Sequence, residues 1–239
     1  MLEIKSLTKN FGGFTALSDI NLAVEPGERL GLIGPNGSGK TTLINCVSGS
    51  IQDYEGDVFF DGENLNPLVA HKRARLGVAR SFQIPKPFTS MTVKENLLIP
   101  LEYAAAASAS ENTLIGEQAD EIISDLDLSE KSDHLTSGLT QIEMRKLELA
   151  RAMAIKPRLL ISDEAMAGLS SSEVDDILKI LITLNEKTKI TIIMIEHIMR
   201  AVMSFSERVV CLDAGKVIAN AQPDEVIKTP AVEKAYLGE

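Results

Sequence analysis

The chain has 239 residues, enough for one large core or a core with a smaller inserted lobe. Its 44% apolar content is that of a globular protein, and 24 basic against 34 acidic residues leave a net charge of −10, a sign that repels phosphate backbones and argues against nucleic acid as a partner. Apolar runs such as Ile190–Ile195 fall short of the roughly 20 residues that span a bilayer, and "MLEIKSLTKNFGG" lacks a charged-then-apolar signal pattern, so a soluble protein that stays where it is made is expected.

In chain order, Leu2 and Ile4, then Ile20, Leu22 and Val24 ahead of Pro26-Gly27, predict short antiparallel strands. "RLGLIG" suits a buried strand; it runs into "GPNGSGKTT", and "TTLINCVSG" predicts a helix closed by Gly49. "GDVFFDGENL" adds a strand and turn. From about Ile84 the composition changes. Pro85 and Pro87 make a loop, and Thr92 to about Leu128 is rich in Ala, Leu and Glu, so residues 84–156 are expected to form a mostly helical lobe. In Glu143–Lys156, Met144, Leu147, Ala150 and Ala154 share one face, and Pro157 stops the helix.

Strand–helix alternation then returns. "RLLISDE" predicts a strand, and Ser170 with Glu173 a capping box opening a helix to about Lys187. "KITIIMIEH" is a strand, Ile198–Phe205 a helix, and "RVVCLDAGKVIA" a hairpin turning at Asp213-Ala214-Gly215. A helix and a short amphipathic end close the chain. The pattern is an α/β core over residues 1–83 and 157–239, interrupted by a helical insertion at 84–156. Cys46 and Cys211 sit in apolar runs and predict two buried, reduced thiols, and three dispersed histidines offer no metal-ligand spacing.

Chemistry concentrates first at Gly34, Pro35, Asn36, Gly37, Ser38, Gly39, Lys40 and Thr41, which fit G-x-x-x-x-G-K-[ST] between a strand and a helix, with Thr42 following. Glycines let successive N–H groups turn onto phosphates, where the helix N-terminus adds a favourable field. Lys40 supplies a charge for the β/γ oxygens and Thr41 a hydroxyl for Mg²⁺. Asp163-Glu164 at the end of the next core strand offers one acid for Mg²⁺ and one to polarise water. Alone, that pair reads equally as two solvated carboxylates.

Together these residues resemble the ATP-binding subunits of ABC transporters over nearly the whole chain. "NFGGFTALSDINL", "LIGPNGSGKTTLINCVSG", "RSFQIPKPFTSMTVKENLLIPL", "LELARAM", "IIMIEHIM" and "AYLGE" look most like the ATPase pair of branched-chain amino acid importers, and the "SFQ" segment like the larger of the two. The resemblance implies a P-loop NTPase core of the ABC type, with an N-terminal antiparallel β-subdomain and an inserted helical subdomain. It implies ATP and Mg²⁺ as cofactors and ATP hydrolysis at a subunit interface. Phe11 would stack on adenine, Gln83 would touch Mg²⁺ or water, "AGLS" (Ala167–Ser170) would cross to the partner, and His197 would hold the γ-phosphate. From the residues alone, Phe11 reads equally as a core aromatic, whereas Gln83 reads more readily as a loop residue and His197 as a satisfied strand-end histidine. Expected partners are a second ATP-binding subunit, membrane permease subunits and, indirectly, an extracytoplasmic solute-binding protein. The expected location is cytoplasmic, on the inner face of the cell membrane.

The same family has a Leu-Ser-Gly-Gly-Gln loop that grips the partner's γ-phosphate. Ungapped counting back from Asp163 places it at Leu139, Thr140, Gln141, Ile142 and Glu143. Thr140 keeps the hydroxyl, but Ile142 stands where a glycine allows close approach. A frame using Gly138 would shift the loop by about 6 Å along a helix. Losing one charge-assisted phosphate contact costs about 1.5–3 kcal/mol, unless the Ile142 N–H still donates. A heterodimer is therefore favoured over a homodimer. Ala165 and Ile198 also replace a common Pro and Asp, neither of them a reacting group.

Overall fold

The computed structural model describes residues 1–81, 85–105 and 113–237. β1 (Leu2–Phe11) and β2 (Phe14–Val24) pair antiparallel around Gly12-Gly13. They are long, not short. The alternation breaks because register shifts interrupt the ladder after Ile4 and Leu7, with Ser6 and Asp19 at positive φ, so one bulged hairpin reads as fragments. β3 (Arg29–Ile33) leads through the phosphate loop into α1 (Lys40–Ser48), which Gly49 closes in the left-handed region. β4 (Glu55–Phe60) and the two-residue β5 (Glu63–Asn64) complete a four-stranded sheet in the order β2-β1-β4-β5.

Two elements went unpredicted, α2 (Ala70–Arg75) and β6 (Val78–Ser81). Six and four residues are too short to display a period, and Arg80 interrupts the apolar run. Arg73, fully buried on α2, explains why this turn of helix exists: its guanidinium donates to the carbonyls of Cys46 and Val47 and so satisfies the C-terminus of α1.

Helices then follow: α3 (Val93–Ala105), α4 (Thr113–Asp125) and α5 (Gln141–Met153), with 3₁₀ turns at Ser129–Lys131 and Thr136–Gly138. The remainder is β7 (Leu159–Asp163), α6 (Ser171–Thr188), β8 (Thr191–Ile195), α7 (Met199–Phe205), β9 (Arg208–Asp213), β10 (Lys216–Ala221), α8 (Pro223–Val226) and α9 (Pro230–Leu237). The capping box of α6 is present, with Ser170 and Glu173 bonded reciprocally. The C-terminal segment forms two helices.

The second sheet runs β10-β9-β3-β8-β7-β6, parallel except for the β10 edge. The central strands, covered on both faces, are apolar nearly throughout, as "LLISD" and "TIIMI" show. Leu159 and Ile161 face the core shared with β1, β4 and α1, whereas Leu160 faces α3–α6. This topology aligns the carboxyl ends of β3, β7 and β8 on one edge, where ligands bind in open α/β sheets.

Candidate active site

The phosphate loop leaves that edge at Gly34 and returns as α1. Gly39 has φ 107°, and a Cβ there would lie 2.8 Å from the Ala16 carbonyl oxygen, so only glycine fits between the loop and β2. Lys40 is almost fully buried and its Nζ donates to the carbonyls of Gly34 (2.7 Å) and Pro35 (3.0 Å). Burial pushes its pKa down, against the opposing charges of Glu164, Cys211 and Asp163. The ammonium is thus held over its own loop by carbonyls that a phosphate can replace. Ser38 Oγ is buried without a hydrogen-bond partner among the described residues, a donor that a bound oxygen would satisfy. A cavity of about 270 Å³ is lined by Asn36–Thr42 together with Phe11, Phe14, Ala16, Glu164 and His197. Donors at one end and exposed aromatics at the other fit a nucleoside polyphosphate.

Phe11 is 48% exposed, which removes the core alternative. Phe14, at 64%, stands across the Gly12-Gly13 turn and was missed, although "NFGGF" placed an aromatic on each side of it. Lys9 Nζ lies 4.6 Å from the Phe11 ring centroid and holds Asp53 at 2.8 Å, stiffening the hairpin under the aromatic.

Glu164 sits one residue beyond β7 at φ 48°, an uncommon conformation for a non-glycine residue. Its N–H is held by the Ile195 carbonyl at 2.9 Å. That bond brings the ends of β7 and β8 together, so Glu164 Oε1 and His197 Nε2 meet at 2.6 Å. An acid and an imidazole in contact at the mouth of a lysine-bearing loop can position a water for in-line attack on phosphorus. Asp163 is the last residue of β7, and Arg80 Nη2 holds its carboxylate at 2.6 Å while Nη1 donates to Asn45 of α1 at 2.7 Å. Arg80 therefore ties the acid to the phosphate-loop helix.

A protein-family model described as ABC transporter matches residues 17–167. This chain belongs to the ABC transporter family. BraF of Pseudomonas aeruginosa, a high-affinity branched-chain amino acid transport ATP-binding protein, is 38% identical over 251 residues, covering 100% of this chain and 98% of that protein. The lipopolysaccharide export system ATP-binding protein LptB of Haemophilus influenzae is 34% identical over 239 residues, covering 100% and 98%. The ADP conformation of MJ1267, an ATP-binding cassette of an ABC transporter, matches with a TM-score of 0.88 at 31% identity, covering 100% of this chain and 99% of that one. A dimeric post-hydrolysis state of the cassette MJ0796, bound to ADP and Pi, matches with a TM-score of 0.82 at 26% identity over 93% and 99%.

In this ABC chain the Leu139–Glu143 stretch lies at the start of α5. Gly138 belongs to the preceding 3₁₀ turn, and Thr140 is the N-cap. Thr140 and Glu143 form a full capping box: the Thr140 N–H donates to Glu143 Oε2 at 2.7 Å and the Glu143 N–H to Thr140 Oγ1 at 3.4 Å. The Thr140 N–H holds the Glu143 carboxyl below the usual range, with Lys131 3.3 Å away adding to it. Ile142 is half-buried against the helical core, and its N–H, second in the helix, has no partner within the helix by geometry. Gln141 turns back, its Nε2 3.2 Å from the Ala167 carbonyl, where Arg145 also donates at 3.1 Å. A Cβ on Gly168 would lie 2.6 Å from Gln141 Nε2, so the glycine makes room for that contact. Gln83 lies outside the described residues. Cys46 and Cys211 are buried free thiols, and no helix among the described residues is long and apolar enough to cross a membrane.

Beside the His197–Glu164 pair, sequence reasoning also missed Glu196. It is buried, accepts the Met166 N–H at 2.9 Å, and burial raises its pKa to about 7. The folded chain therefore keeps a proton that the unfolded chain, near 4.5, releases. The resulting stability is present at low pH and is lost as pH rises from about 4.5 through 7. Glu196→Gln still accepts the Met166 N–H and carries no charge. Urea unfolding should find the variant more stable than the parent above pH 7 by up to roughly 3 kcal/mol, with the gap closing below about pH 4.5. A pH-independent gap refutes the titration.

Proposed function

We propose that this chain is the ATP-hydrolysing subunit of an ABC importer that takes up amino acids, branched-chain ones foremost. The observation that carries the reading is the Glu164–His197 contact of 2.6 Å opening onto the Lys40 cavity, in a chain matched end to end by BraF. Phe11 and Phe14 stack on the adenine. Gly34–Thr42 cradle the phosphates, and Lys40 exchanges its two carbonyls for the β/γ oxygens. Thr41 and Asp163, with Gln83 as the third candidate, would hold Mg²⁺, which would supply neutralising charge on those oxygens. Glu164 takes the proton of the attacking water, and His197 orients water and γ-phosphate.

Residues 84–156 act as the helical lobe of this machine, and 1–83 with 157–239 as its ATP-binding core. The cleft of about 340 Å³ between them, lined by His71, Arg80, Pro100, Glu148 and Arg151, receives the membrane permease. The chain thus works at the inner face of the membrane, and a solute-binding protein reaches it only through the permease. The second ATP-binding subunit is a different polypeptide. The capped, carboxylate-bearing start of α5 favours that reading, and with it an unequal pair of ATP sites.

Uptake of radiolabelled leucine by cells lacking the gene tests the cargo. The expected outcome is loss of high-affinity leucine uptake, restored by the wild-type gene. Unchanged uptake with a defect in lipopolysaccharide export would assign the chain to the other activity among its relatives.

A further inference from the structure

The terminal "AYLGE" resembles the family, but no step above uses it. In the fold, α9 returns to the phosphate loop. Tyr236 Oη accepts the N–H of Gly34, the loop's first glycine, at 2.8 Å. Gly34 stands where β3 leaves the sheet: its φ is 147°, and a Cβ there would lie 2.2 Å from the Leu212 carbonyl oxygen. The residue is thus pressed against β9. Its carbonyl side receives Lys40 Nζ, so one residue is held by Tyr236 at its nitrogen and by the catalytic lysine at its oxygen. α9 is itself seated, because Val232 is buried with Ile33, Val209, Cys211 and Val226 around the strand that feeds the loop.

We propose that Tyr236 is a positioning residue for nucleotide binding: its hydroxyl fixes Gly34 so that the loop keeps its shape when Lys40 releases the Gly34 and Pro35 carbonyls for phosphate. The inference rests on ATP binding at this loop. The hydroxyl does work that the ring does not. Tyr236 is 44% exposed, whereas its hydroxyl satisfies a backbone donor at the sheet end. Burial raises the phenol's pKa, so it stays protonated at neutral pH.

The test compares wild type, Tyr236→Phe and Tyr236→Ala in full-length protein, with Kd for Mg·ATP by calorimetry, thermal melting, and exchange of the Gly34 amide by NMR. Tyr236→Phe should weaken ATP binding by about tenfold, the effect of one lost hydrogen bond to a backbone donor. It should also abolish the protection of the Gly34 amide while melting about 3–6 °C below the parent. Tyr236→Ala should match Phe in affinity and melt lower. If Tyr236→Phe binds ATP within twofold of wild type, or if Tyr236→Ala, melting lower still, binds ATP correspondingly more weakly than Tyr236→Phe, the proposal is overturned. If wild type itself binds no ATP, it is the ATPase reading that fails.

Discussion

Glu164→Gln is expected to lower ATP turnover by about a hundred- to ten-thousandfold, with Mg·ATP binding retained. Turnover is to be measured with the companion subunit present. The amide keeps the size and the hydrogen-bonding reach of the side chain towards His197, now 2.6 Å away, but cannot accept a proton from water. The left-handed backbone at residue 164 is unchanged, because its N–H bond to the Ile195 carbonyl holds it irrespective of the side chain. Binding and chemistry therefore separate. A variant that hydrolyses ATP at the parent rate removes Glu164 from the role of base, and one that loses ATP binding as well makes the residue structural.

The second expected result concerns the start of α5. The double variant Ile142→Gly, Glu143→Gln should raise hydrolysis of the ATP held by the companion subunit by about ten- to a hundredfold. It should do so while lowering this chain's own stability. Glutamine at the third helical position keeps the capping box but withdraws a carboxylate from the end of a helix where a phosphate would be drawn. Glycine removes a half-buried side chain that packs on the helical core, and weakens the helix by about 1 kcal/mol. Opposite signs in activity and melting temperature distinguish a rebuilt site from a repacked helix. The assay uses Lys40→Ala in this chain to silence its own site. Unchanged turnover at the companion's site means that Ile142 and Glu143 do not limit it.

These expectations rest on features that differ in how far the sequence exposes them. The phosphate loop is a run of adjacent residues whose glycines and lysine act through the local backbone, so its pattern is complete in the sequence. The Ser170–Glu173 cap is readable for the same reason, and Thr140–Glu143 carries the same spacing. Compared with a Leu-Ser-Gly-Gly-Gln loop, that second box looks like damage; its bonds make it an ordinary helix start at the position proposed to face the companion's phosphate. Contacts made by the fold are another matter. Arg80 and Asp163 are 83 positions apart, and Tyr236 and Gly34 are 202 apart. Both pairs arise from the strand order β9-β3-β8-β7-β6, which no local period encodes. β6, the strand that carries Arg80, was itself too short to detect. Glu196 was hidden differently: it stands next to His197, and only burial distinguishes it from a solvated acid.

Titration of Mg·ATP into the hydrolysis-deficient Glu164→Gln chain, with and without Lys40→Ala, reads out whether the lysine-bearing loop is where the nucleotide sits. One ATP per chain, lost when Lys40 is removed, is the expected result. Equal binding by both proteins would place the nucleotide elsewhere and leave the Glu164–His197 pair without a substrate.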